Sequence, residues 1–122
     1  MKKYHKGNRL LSAWGFSVAG LKAAWQDEAA FRQVVVIGMI GLIASALLPL
    51  SAAERMIWLL PIGISWIVEL LNSSIENVVD LCSPDIHPLA KKAKDMGSAA
   101  QMIASGVLVI TWSSLLWELY FR

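Results

Sequence analysis

Charge is scarce in this chain. Of its 122 residues only 16% are Asp, Glu, Lys or Arg, against 57% hydrophobic. That leaves too little polar surface to clothe a water-soluble fold, so the composition points to an integral membrane protein. Cysteine is almost missing: Cys82 stands alone, which excludes an internal disulfide, and nothing near it completes a thiolate metal site. Cys82 is read as a bystander. No GxxxxGK[ST] sequence and no glycine-rich strand-to-helix turn occurs, so a P-loop is excluded and any nucleotide must be held by side chains and metal. The net charge of +2 is too small to suggest nucleic acid. No secretory signal is expected either. The first strongly apolar run begins near Val34, behind a mixed stretch too long for a charged leader.

What the chain does have is hydrophobic length. The whole of 1–122 is expected to be one all-α membrane domain, with an amphipathic surface helix over about 8–28 and spans over about 34–50, 56–79 and 98–120. In the first segment Leu10, Trp14, Val18, Leu21 and Trp25 form one stripe, while Arg9, Ser12 and Lys22 fall off it. Two tryptophans in such a stripe fit a helix lying in the membrane interface, or packing on its own protein. QDEAAFRQ (26–33) is a polar gateway to the first span. Pro49 and SAAER (51–55) make a short turn, and Pro61 can kink the second span. LCSPDIHPLAKKAKDMG (81–97) is a polar connection in which Pro84 and Pro88 argue against a continuous helix.

Lysine and arginine set the orientation. Lys2, Lys3, Lys6, Arg9, Lys22 and Arg32 precede the first span, and Lys91, Lys92 and Lys94 lie in the second connection. The first connection holds only Arg55 and the C-terminus only Arg122. The N-terminus and second connection are therefore expected in the cytoplasm. Trp58, Trp117 and Tyr120 would form the outer aromatic belt, Trp14 and Trp25 the inner one.

One stretch breaks the apolar rule. VELLNSSIENVVD (68–80) continues the second span, yet Glu69, Asn72, Ser73, Glu76 and Asp80 recur at helical spacing on one face. With the second helix entering the cytoplasm at its C-terminal end, Asp80 and Glu76 meet water first, and Glu69 lies roughly 10 Å deeper than Glu76 at about 1.5 Å per residue. One end of the ladder can touch a soluble ligand, the other a lipid headgroup. Ionisable groups at membrane depth mark function by default.

Glu76 and Glu28 are expected at similar height. Oxygen ligands with no histidine or cysteine beside them suit Mg²⁺; the alternative is that each pairs with a base such as Arg32 or Lys94. Glu69 is placed to take a proton from an alcohol, or else to hold helices together by hydrogen bonds. Asn72 orients Glu69, binds phosphate or joins helices. Lys91 and Lys92 read as topology signals. Lys94 and Asp95, beside Gly97 and Ser98, could meet phosphates. His87 has no evident partner and reads as a solvated loop residue.

GLKAAWQDEAAFRQ (20–33), VELLNSSIENVVD (68–80) and AKDMGSAA (93–100) together resemble the small bacterial diacylglycerol kinases, and the likeness runs through nearly the whole chain. The resemblance implies a homotrimer of three-span subunits in the bacterial inner membrane, with active sites shared between neighbours. It implies transfer of the γ-phosphate of MgATP to diacylglycerol, giving phosphatidic acid. By matched position it makes Glu69 the proton acceptor, Glu28 and Glu76 the holders of Mg²⁺, and Asn72 a supporting residue. ATP contacts would come from Arg9, Phe16, Glu28, Glu76, Asp85, Ile86, His87, Lys94 and Asp95. Ala30, Phe31, Arg32, Gln33, Val34, Arg55, Glu69, Ser98, Trp112 and Trp117 would line the lipid cleft. Phe16 departs from the family pattern in offering no hydroxyl, and Val18, Ala19, Val34 and the Pro84-Asp85 turn differ as well. Related kinases of the same architecture phosphorylate undecaprenol. A proton-coupled transporter subunit could also use Glu69, but the first span and the outer half of the second carry no ionisable group to extend a path. A non-catalytic scaffold would leave Glu28, Glu69, Glu76 and Lys94 without a joint purpose.

Overall fold

The computed structural model describes residues 8–122; the basic start at 1–7, with Lys2, Lys3 and Lys6, lies outside the described residues. Four helices follow in order: α1 (Arg9–Asp27), α2 (Ala29–Leu47), α3 (Ala52–Cys82) and α4 (Pro88–Tyr120). No strand occurs among the described residues. α2, α3 and α4 are each long and apolar enough to cross a membrane. The chain is an all-α membrane protein.

The boundaries follow local chemistry. Glu28 alone separates α1 from α2: its backbone is extended, and its N–H still closes α1 on the Ala24 carbonyl at 2.9 Å. The segment expected as a polar gateway is therefore mostly the first turns of α2. α2 stops at Leu47 because the residue before Pro49 is driven out of helical geometry. α3 opens on a capping box, in which Ser51 Oγ accepts from the Glu54 N–H at 3.2 Å and Glu54 accepts from the Ser51 N–H at 2.8 Å. That exchange satisfies two end donors and starts the helix inside the SAAER segment. The helix runs on through Pro61.

The second connection is shorter than expected. It is confined to 83–87, because Pro88 opens α4. A proline's missing N–H and fixed φ suit a first helical turn as well as they spoil an interior one. His87 is the N-cap of α4, its Nδ1 accepting the Leu89 N–H at 3.1 Å. It is not the partnerless loop residue that spacing suggested.

α3 is the central element. It packs most extensively on α4, then on α2, while α1 touches α2 only lightly. Indole N–H groups, which need partners in an apolar medium, tie the helices together. Trp58 of α3 donates to the Gly41 carbonyl of α2 at 2.8 Å, Trp66 of α3 to the Val34 carbonyl at 2.8 Å, and Trp112 of α4 to the Trp58 carbonyl at 3.0 Å. Trp58 and Trp112 stack with centroids 4.6 Å apart. Gly41 admits this arrangement, since a β-carbon there would fall 2.5 Å from the Trp112 ring. Trp58 is thus only 3% exposed and does not join an outer aromatic belt; its donor found a partner inside the bundle. Trp117 and Tyr120 are exposed.

At the end where α2 turns into α3, Arg55 donates to Ser45 Oγ at 3.3 Å and to the Leu50 carbonyl at 3.2 Å. Arg122 pairs there with Glu54 and, at 3.5 Å, with Glu118. On α1, the stripe of Leu10, Trp14, Val18, Leu21 and Trp25 is exposed, Trp14 at 73%. Only Ala24 of that helix is buried. The apolar face of α1 therefore does not pack against the rest of its own chain.

Candidate active site

The polar face of α3 is graded. Glu69, Asn72 and Ser73 are buried, Glu69 to 3% exposure; Glu76 is half-buried and Asp80 exposed. The face thus opens progressively toward the end where α3 gives way to α4. A charged carboxylate with this little solvent is costly unless something compensates it, and no ion pair to Glu69 occurs among the described residues.

Opposite this face lies Gly97 of α4. A β-carbon there would collide with the side-chain amide of Asn72, so the missing side chain is what lets α4 close over Asn72. One turn further along α4, Gln101 donates to Ser65 Oγ at 3.1 Å. Asn72 Oδ1, Ser73 Oγ and Gln101 Oε1 are buried without a hydrogen-bond partner among the described residues. A buried polar atom left unpaired costs about 1–3 kcal/mol, so these atoms are open to partners from outside the chain.

Glu28 reaches the same region from the α1–α2 corner. Its Oε1 accepts from Asn77 Nδ2 of α3 at 3.4 Å. Among the described residues neither Glu28 nor Glu76 forms an ion pair with a basic side chain. Arg32 instead donates to the Trp25 and Gln26 carbonyls, at 2.8 and 3.2 Å, closing the end of α1. Lys94 pairs with Asp80 at 2.5 Å. Glu28 and Glu76 are the oxygen donors of this region that a divalent cation could use. The described residues hold no cluster of three or more His, Cys, Asp or Glu side chains that would make a closed metal site. Two oxygen donors with room for water and phosphate is the arrangement Mg²⁺ prefers.

Two clefts flank these groups. One, of about 660 Å³, lies between α1 and α3 and is lined by Ser17, Asp27, Glu28, Ser73 and Asn77 among others. The other, of about 330 Å³, lies at the α3–α4 junction beside Asp80, Asp85, His87, Lys91, Lys94 and Asp95. Asp95 pairs with Lys91 at 2.5 Å. Ile86 is fully exposed at the tip of the loop.

The remaining candidates are dispersed along the chain. Arg9 and Phe16 lie on α1. Phe31 is buried beneath the α1–α2 corner, where Ala30 and Gln33 are exposed, and Val34 accepts from Trp66. Ser98 is exposed on α4, next to Gly97. Arg55 is on α3 but about 20 Å from Glu69, at 1.5 Å per residue. Trp112 and Trp117 belong to the same far half of the bundle, and Trp112 is engaged with Trp58 and Gly41. Within one chain, then, Glu28, Glu69, Asn72 and Glu76 share one face region, while Arg55, Trp112 and Trp117 do not meet them. Sequence reasoning passed over Asn77, Ser65 and Gln101. Asn77 stands four residues after Ser73, and Gln101 is an amide inside an apolar span; both were legible as polar residues at helical spacing.

A small helical protein with three membrane-long helices and an acidic polar face opening at one end belongs to the class of integral-membrane proteins. The model of the family described as prokaryotic diacylglycerol kinase matches residues 15–116. The chain is 47% identical to a diacylglycerol kinase of Pseudomonas aeruginosa over 88% of each chain. It is 46% identical to one of Escherichia coli K12 over 90% of each. A diacylglycerol kinase of Helicobacter pylori shares 43% over 93% of this chain and 89% of its own. The chain belongs to the prokaryotic diacylglycerol kinase family. It is a kinase and a bacterial membrane protein.

Proposed function

We propose that this chain transfers the γ-phosphate of MgATP to the free hydroxyl of diacylglycerol, yielding phosphatidic acid and ADP, with Glu69 as the proton acceptor. Family membership supports the reaction. The observation that carries the assignment of Glu69 is its burial on the face that Glu76 opens to water two turns away. An alcohol dissolved in lipid can reach the buried carboxyl, and a soluble nucleotide can reach the exposed end.

Phosphoryl transfer asks more for placement and neutralised charge than for covalent help. Glu69 takes the hydroxyl proton as the alcohol oxygen bonds to the γ-phosphorus. The bond from that phosphorus to the bridging oxygen of ADP breaks, and ADP leaves with the electron pair. Glu28 and Glu76 would hold Mg²⁺, which when bound supplies neutralising charge to the phosphates. Lys94 offers an ammonium to the transferring group. Arg9, Phe16, the 85–87 loop and Asp95 hold the rest of ATP, Phe16 without a side-chain hydroxyl to offer. Asn72, whose Oδ1 has room for one more hydrogen bond, steadies the acceptor. The lipid lies along the bundle past Ala30, Arg32, Gln33, Val34 and Ser98, toward Arg55, Trp112 and Trp117.

Likeness to the family supports a homotrimer in which neighbours complete one another's sites, and the apolar faces left open on α1, α2 and α4 leave surface for neighbours as well as lipid. The N-terminus and the α3–α4 loop face the cytoplasm of the inner membrane, where ATP is found. Incubation of the purified protein with γ-labelled ATP and either diacylglycerol or undecaprenol in matched micelles tests the function. Label in phosphatidic acid is expected; label only in polyprenyl phosphate, or only in soluble phosphate, overturns the reading.

A further inference from the structure

Asp80 ends the polar face of α3, and the chemistry above gives it no task. Yet it is the residue that holds Lys94. Lys94 Nζ lies 2.5 Å from Asp80 Oδ1, with side chains 43% and 63% exposed. Glu76, one turn back on the same face, adds a weaker attraction to the same ammonium. The pair bridges α3 and α4 beside the cleft that also carries Asp85, His87, Lys91 and Asp95. Asp95 is engaged by Lys91, so Asp80 is the carboxylate that occupies Lys94.

We propose that Asp80 is a positioning residue that keeps the place of the nucleotide's phosphate. Resting on the assignment of Lys94 to ATP, the geometry makes Asp80 hold the ammonium at the cleft until MgATP takes it over. A pair this open to water is weak, whereas a phosphate offers more charge and more acceptor oxygens. The exchange therefore runs toward the nucleotide, but it is not free. Each binding event must first part Lys94 from Asp80, and the apparent affinity for MgATP is lowered accordingly.

The test is steady-state kinetics of Asp80→Asn, alone and combined with Lys94→Gln, at saturating diacylglycerol. Asp80→Asn should lower the MgATP KM about two- to five-fold, the range set by an exposed ion pair, while kcat moves less. In the Lys94→Gln background, read as the dissociation constant of MgATP because loss of Lys94 can stop turnover, the same change should leave affinity where Lys94→Gln alone puts it. Asp80→Ser should repeat the effect of Asp80→Asn, and Asp80→Glu should restore the wild-type KM. An unchanged or raised KM in both neutral variants overturns the proposal. So does an equal fall with and without Lys94, which would assign the effect to bulk charge. Wild-type protein assayed in parallel separates the two ideas. Wild-type turnover with an unmoved KM in the variants defeats only the placeholder, whereas a wild type that makes no labelled phosphatidic acid defeats the kinase assignment and the placeholder together.

Discussion

The amide of Asn72 occupies the volume that a side chain at Gly97 would need. α3 and α4 close on each other at this point, one turn from the buried Glu69 carboxyl. Close packing and the site are therefore one arrangement: whatever parts the helices there also moves Asn72.

Gly97→Ala tests this coupling. The added methyl meets the end of the Asn72 side chain, which is buried and has little space to turn away, so overpacking should cost about 1–3 kcal/mol and lower activity together with stability. Thermal unfolding in micelles and lipid phosphorylation, measured on one preparation, should fall in step. Full activity with wild-type stability would show that the helices separate without consequence.

Glu69→Gln keeps shape and hydrogen bonding but cannot accept the proton. Loss of a general base costs roughly 100-fold or more, so kcat should fall by at least that factor. Helix content by circular dichroism should stay at the wild-type level. Near-wild-type turnover would remove Glu69 from the reaction.

Glu28→Gln and Glu76→Gln should each raise the Mg²⁺ concentration required for half-maximal rate. Residues standing behind metal ligands already matter by roughly tenfold, and a ligand should matter at least as much. Chelation of Mg²⁺ should stop the wild-type enzyme, and re-addition should restore it. A Mg²⁺ titration unmoved in both variants would place the ion elsewhere.

Trp58→Phe removes the donor that the Gly41 carbonyl receives at 2.8 Å while keeping much of the ring. About 0.5–1.5 kcal/mol of stability should go with one such bond, and somewhat more for the lost ring area. The chemistry should be little affected, since Trp58 belongs to the far half of the bundle. A large loss of kcat with unchanged unfolding would refute a purely bracing role.

Much of this architecture is written locally. Hydrophobic length and a 3.6-residue period belong to each segment by itself, so three membrane-long helices, a separate N-terminal helix and the Glu69–Asn72–Ser73–Glu76–Asp80 face follow from the sequence alone. The ends of α3 and α4 were harder to read, because Ser51 with Glu54 and His87 with Pro88 extend helices into polar segments that composition suggests are loops.

What only the folded chain decided is how the faces meet. Trp58 reads as a membrane-belt residue until Gly41 opposes it; Lys94 has several carboxylates to choose from until the α3–α4 turn sets Asp80 beside it. Asn72 and Gly97 are separated in sequence by an entire loop, and nothing in either segment announces the other. Helical periodicity fixes which side chains share a side, but the rotation of one helix against the next depends on contacts summed over both, and those exist only after the chain has closed.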